Sequence, residues 1–427
     1  MLLPENHEQR EELNDEVHAR PPEALEAPVA ITYIALFEGG RRGEDARAVR
    51  ELAERFSITP PDESAVHASL DFGGFRLKWE RHTEFSRLKV IVPVKDDTTF
   101  QTPAISQLPE DWISGLPGRT MVATNILLLP APKGPVDIEA LSQTHFGGNT
   151  LIGASVGGGK AEAYTDFRIR SDGFSRLIVY DNGLALRQAG RVIQRLVEID
   201  TYRLMALLAF PMARGLAPKL TLQERELALI ANAMSAETAQ EEPVLLDRLT
   251  RLQAAIESGQ AETDYRFSAA RAYYDLVHRR IKDLREARLE GLQTFGEFTE
   301  RRLLPAINTC VAIADRQEKL SRRVARATQL LSTRVDVARE GQNQEVLARM
   351  ARRAKMQLRL QETVEGLSVA AVTYYVVGLV GYAAKALEAG GLPINPNVAM
   401  GIAIPVIAGL VWFGVRRVRE QVTKDDA

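Results

Sequence analysis

Gly366-Leu-Ser-Val-Ala-Ala-Val-Thr-Tyr-Tyr-Val-Val-Gly-Leu-Val-Gly-Tyr-Ala-Ala384 carries no charged side chain, and neither does Val398 to Val415. A helix of either length spans the hydrocarbon of a bilayer. A short Gly/Pro/Asn-containing connection, Glu388 to Asn397, joins them. The pair therefore reads as a transmembrane hairpin, with a large soluble body upstream. Arg349, Arg352, Arg353, Lys355 and Arg359 precede the first run, and Arg416, Arg417, Arg419 and Lys424 follow the second. Cations are retained on the cytoplasmic side, which predicts cytoplasmic termini and an outward-facing connection in the inner membrane. Ser368, Thr373 and Tyr374 give the first run polar positions, and these are the candidate pore-facing residues of a ring of subunits. Pro405 is expected to kink the second run.

The remaining composition narrows the classes. The formal charge of -2 leaves no bulk electrostatic footprint for nucleic acid, so no nucleic-acid partner is expected. One cysteine, Cys310, excludes an intrachain disulfide framework and a multi-cysteine zinc site. The first residues lack the basic and apolar segments of a secretory signal, which keeps the body in the cytoplasm.

Strand patterns dominate up to residue 184. Val29–Phe37, Val66–Asp71, Phe75–Arg81, Ser86–Val94, Thr120–Leu129, Leu151–Gly157, Ala161–Ile169 and Phe174–Tyr180 are β-branched, apolar or alternating. Residues 43–56 have helical spacing. The expectation is an α+β fold: a mixed sheet with helices over 1–184, a helical stalk over 185–365, and the hairpin and basic tail over 366–427. Within the stalk, helices are expected at about 220–238, 243–258 and 265–300. Leu320, Val324, Ala327, Leu331, Val335 and Ala338 then form a narrow apolar seam that needs partner helices, from the same chain or from other copies. A homo-oligomer is the expected assembly.

Three motifs were candidates for chemistry. Gly153-Ala-Ser-Val-Gly-Gly-Gly-Lys-Ala161 lacks the first glycine and the hydroxyl of a phosphate-binding loop, so it reads as a glycine-permitted hairpin or bulge. His18-Ala-Arg20 and Glu80-Arg81-His82-Thr83-Glu84 are more pointed. If they met, His18, Arg20, Arg81, His82 and Glu84 would form either a polar network or a ligand site with a His–Glu pair for proton transfer. The N-terminal arm is therefore expected to fold back onto the strand carrying His82 and Glu84.

Those same stretches carry a resemblance. Asn14-Asp-Glu-Val-His-Ala-Arg-Pro21, Trp79-Glu-Arg-His-Thr-Glu-Phe85, Tyr202-Arg-Leu-Met-Ala-Leu-Leu208 and Glu365-Gly-Leu-Ser-Val369 resemble a bacterial family predicted to be membrane-anchored, domain of unknown function 3422. The resemblance implies an anchor and no assigned activity. In architecture the chain is also similar to CorA-type cation channels. Their Gly-Met-Asn signature is replaced here by Gly381-Tyr-Ala-Ala-Lys-Ala386. Three functions follow in order: passage or sensing of cations by a homo-oligomer, a non-transporting membrane-anchored scaffold or regulator, and a membrane-anchored enzyme using the His18/His82 region. No cofactor is identified beyond a divalent cation in the first reading.

Overall fold

The structure is a computed structural model that describes residues 5–11, 13–14, 21–37, 43–95, 99–235, 242–391 and 395–425, without the side chains of 418–425. It divides into two compact units, one reaching Thr328 and the other built mainly from Gln329 onward.

A nine-stranded mixed sheet organises the first unit: β1 Val29–Phe37, β2 His67–Asp71, β3 Arg76–Arg81, β4 Phe85–Pro93, β5 Arg119–Pro130, β6 Ile152–Val156, β7 Ala161–Thr165, β8 Ser175–Asp181 and β9 Ala287–Arg288. Their order is β2-β3-β4-β1-β5-β8-β7-β6-β9. All pairings are antiparallel except β5 with β8. The expected strands are all present, and β9 is the addition, because two residues carry no readable alternation. The Gly-rich segment is the β6–β7 hairpin, its turn held by Gly157, Gly158 and Gly159 at positive φ.

The two faces of the sheet differ. On one, Ile34, Leu77, Trp79, Leu88, Val90, Leu127 and Ile178 pack under α1 Glu44–Arg55, α2 Glu110–Ser114 and α3 Ile138–Phe146. The other is crossed by α4 Leu186–Leu207, and Tyr33 Oη lies 2.8 Å from Thr201 Oγ1 there.

After α4 the chain breaks at Leu208, and α5 Ala209–Ser235 takes Pro211 into its first turn, where the missing N–H is harmless. The two helices expected over 243–258 and 265–300 are instead one continuous helix, α6 Glu242–Leu284, because Gly259 is accommodated within it. Arg285, at φ 49°, ends α6, and β9 follows. A separate short helix, α7 Phe295–Arg302, begins at Thr294, whose capping box supplies its first amides. Then α8 runs unbroken over Leu304–Ala389, through Gly341 and Asn343. Within the first unit α8 packs on α5 and α6. Its Leu320 and Val324 are buried, Arg316 pairs with Glu224, and Thr263 Oγ1 lies 3.3 Å from Gln317 Oε1. The start of the apolar seam thus finds its partners in its own chain.

In the second unit every side chain of α8 from 336 to 364 is exposed. Beyond it, α8 and α9 Pro396–Asp425 approach each other near Gly381, where an added Cβ would come within 2.5 Å of Met400 Sδ.

Candidate functional site

The face of the sheet beneath α4 carries an unusual row of buried charges. Strand alternation sends Lys78 and Glu80 of β3, and Arg87 and Lys89 of β4, to this side. Register sets Glu80 opposite Arg87 and Lys78 opposite Lys89. On α4 the apolar run around Leu196, Val197 and Ile199 is interrupted by Glu198, which is also buried.

These groups join into one chain of contacts. Glu80 is bonded to Arg87 Nε, and Arg87 Nη1 donates to Glu198 Oε1 at 2.9 Å. Glu198 also accepts from Gln194 Nε2 at 2.8 Å and from Arg280 Nε of α6. At the other end Lys78 Nζ lies 3.2 Å from Glu80 Oε1 and 3.4 Å from Glu23 Oε1, and donates to the Pro21 carbonyl at 2.7 Å. Arg76 reaches the Ala24 carbonyl at 3.0 Å, and the Leu25 amide donates to Leu186 O at 3.0 Å. Residues 21–25 are thus held between β3 and α4. Gly190 makes room for them, since a Cβ there would lie 1.8 Å from the Glu23 carbonyl oxygen.

Burial and charge oppose each other at the two carboxylates Glu80 and Glu198. Burial would raise the Glu80 carboxyl, but Arg87 and Lys78 outweigh it and hold the group at about 2. Glu198 is lowered too, with burial again outweighed by Arg87 and Arg280. Lys89 goes the other way: burial and the neighbouring Arg87 bring its ammonium down to about 8. Ionised carboxylates locked to guanidinium groups are poorly matched to proton transfer near neutral pH. The arrangement works instead as a strut tying the N-terminal arm, sheet, α4 and α6 together.

The expected site residues fall around this strut. His82, Thr83 and Glu84 form the β3–β4 turn rather than continuing a strand, and the turn closes through the His82 amide on Phe85 O at 2.8 Å. The His82 ring stacks on Phe85, with centroids 4.6 Å apart. Glu84 accepts from Arg266 Nη2 of α6 at 2.6 Å, and burial together with the Glu84 charge pushes the Tyr273 hydroxyl up. Tyr273 stacks on Tyr202, with ring centroids 5.7 Å apart. Arg81 turns to the opposite face and grips Asp45 of α1 through Nε at 2.8 Å and 3.0 Å. His18 and Arg20 lie outside the described residues. Reading the sequence missed Lys78, Arg87, Lys89, Glu198 and Arg280. The available signal was a lone Glu198 within the apolar stretch Leu196 to Ile199.

At the C-terminal hairpin, Ser368 is exposed and its Oγ donates to Val364 O at 2.8 Å. Thr373 is half-buried and donates to Val369 O at 2.7 Å, while Tyr374 is 76% exposed. At about 100° per residue these three positions fall on different sides of the helix. Among the described residues, no group of three or more His, Cys, Asp or Glu side chains is placed to hold a metal ion.

Among the described residues, two helices have the length and apolar composition to cross a membrane, and their apolar windows are 11% and 0% buried. A core helix of a soluble protein would be mostly buried. Together with the sheet, this defines an α+β protein with a two-helix apolar C-terminal segment. The chain belongs to the family described as protein of unknown function (DUF3422), whose model matches residues 5–422. No curated protein and no solved structure matches it.

Proposed function

We propose that this chain is a membrane-anchored scaffold or regulator, held in the inner membrane by Gly366–Ala384 and Val398–Val415 with both termini cytoplasmic. The observation that carries this is the exposure of Leu379, Tyr382, Ile402, Leu410 and Trp412, an apolar surface suited to hydrocarbon rather than water. The strut beneath α4 supports a body that acts as a rigid platform, since its carboxylates are engaged in ion pairs. Membrane fractionation tests the anchor. The full chain should resist carbonate extraction, and a chain ending at Glu365 should be released. A cysteine at Asn395 should react with an impermeant thiol reagent from outside. Release of the full chain by carbonate would overturn the reading.

Passage of cations by a homo-oligomer is the second reading, favoured by the exposure of the hydroxyl-bearing Ser368 and Tyr374 within the first apolar run. Two spans cannot enclose a water path, so conduction requires several copies around an axis. In liposomes, Thr373→Leu and Thr373→Asp should then move cation flux in opposite directions. Flux at background for all three proteins leaves the scaffold.

A further inference from the structure

A cleft of about 430 Å³ opens between α5 and α8 in the first unit, far along the chain from the apolar hairpin. Its wall carries Arg316, Lys319, Arg322, Arg323 and Arg326 from α8, with Glu224 from α5 as its one acidic lining residue. Arg316, Lys319, Arg323 and Arg326 follow the three-and-four spacing that places side chains on one face of a helix.

The charges are not balanced within the cleft. Glu224 is already engaged by Arg316, through Nε at 2.7 Å and Nη2 at 2.5 Å, and the same guanidinium reaches Thr221 Oγ1 at 3.0 Å. Arg322 is paired with Glu318 on its own helix. Lys319, Arg323 and Arg326 make no ion pair among the described residues. Like charges three and four residues apart destabilise a helix unless an anion lies between them. This row also borders the buried Leu320 and Val324, which fix this part of α8 in the bundle.

We propose that this cleft binds a multiply charged, phosphate-bearing small molecule. Guanidinium groups match phosphate oxygens in a two-pronged geometry, while a lysine supplies a compact positive charge. Neighbouring side chains on one helix face stand about 5–6 Å apart, a separation that linked phosphates can bridge. The volume lies within the usual range for small-ligand clefts, roughly 300–1,000 Å³. The proposal is independent of the anchor reading, because every residue involved lies in the first unit.

The test is isothermal titration of the full-length protein in a neutral detergent with inorganic pyrophosphate and tripolyphosphate, at constant ionic strength in chloride. The native chain should bind saturably with one site. Lys319→Gln and Arg323→Gln should each weaken binding at least tenfold. Arg323→Lys should retain part of the affinity, and Arg47→Gln on α1 should leave it unchanged. Pyrophosphate should raise the thermal midpoint of the native chain but not that of the double Gln variant, which reports on folding and binding together. Absence of saturable binding at millimolar ligand, or equal binding by the cleft variants, overturns the proposal. Binding only to vesicles containing phosphatidylglycerol overturns it as well, in favour of a lipid surface.

Discussion

Arg87 Nη1 and Glu198 Oε1 lie 2.9 Å apart, joining an inner strand of the sheet to the middle of a helix 111 residues later. Both side chains are buried, and each has a second partner of opposite charge, Glu80 for Arg87 and Arg280 for Glu198. Removing one member leaves the other charged in a dry place. Glu198→Ala should therefore destabilise the fold by roughly 3–5 kcal/mol. Glu198→Gln, which keeps the shape and an oxygen acceptor for Arg87 and Arg280, should lose less. Denaturant unfolding in detergent, followed by Trp79 and Trp112 fluorescence, measures both.

Acid should act through Glu80. Its folded carboxyl is held at about 2, below the ordinary value of 4.5. A lowered folded value contributes stability that is present above pH 4.5 and is lost as pH falls towards 2. The contribution amounts to about 3 kcal/mol at most. Glu80→Gln should flatten the acid limb of the stability–pH curve between pH 4.5 and 2, while lowering stability at pH 7. An unchanged acid limb would show that Glu80 is not held low.

Lys89 predicts the opposite sign. Its folded ammonium is brought to about 8 from 10.5, so the charged form opposes folding fully below pH 8. Between pH 8 and 10.5 the unfolded chain holds the extra proton, and stability rises with pH. Lys89→Met should stabilise the protein by about 1–3 kcal/mol at pH 7. That advantage should shrink progressively by pH 10.5. Unfolding midpoints of the two proteins at pH 7, 9 and 10.5 decide it.

Gly190→Ala should loosen the N-terminal arm. The new methyl would meet the Glu23 carbonyl oxygen, a backbone atom that no rotamer change can move away. The expected loss is roughly 1–3 kcal/mol. Limited proteolysis should cut residues 21–28 sooner than in the native chain, with fragments beginning just ahead of β1.

Most of the fold was legible because its strands obey local rules. Val29 to Phe37 is rich in β-branched and aromatic residues, and the turns at Gly73, Gly157–Gly159 and Asp181–Gly183 contain the residues such turns require. The helix over 242–284 was harder to read, since Gly259 resembles a break until packing overrides its propensity. The strut was hidden for a more general reason. Charges at every second residue of β3 and β4 normally mark a strand face in water. Here α4 covers that face, and nothing local in Arg76 to Arg81 announces a cover supplied by residues 186–207. His82 and Glu84 stood out as a motif. Their partners Phe85, Arg266 and Tyr273 include two from α6, which only the tertiary fold brings near.

One edge strand of the sheet, β9, is made long after the other eight strands. Before it leaves the ribosome, β6 shows an open edge, and Glu198 lacks the guanidinium of Arg280. Synthesis of the intervening hundred or so residues takes about 5–20 s at elongation rates of ~5–20 residues per second. During that interval the newborn polypeptide offers a template for strand addition by a neighbouring chain. Holdase chaperones that shield such edges should therefore raise the yield of this protein in cells.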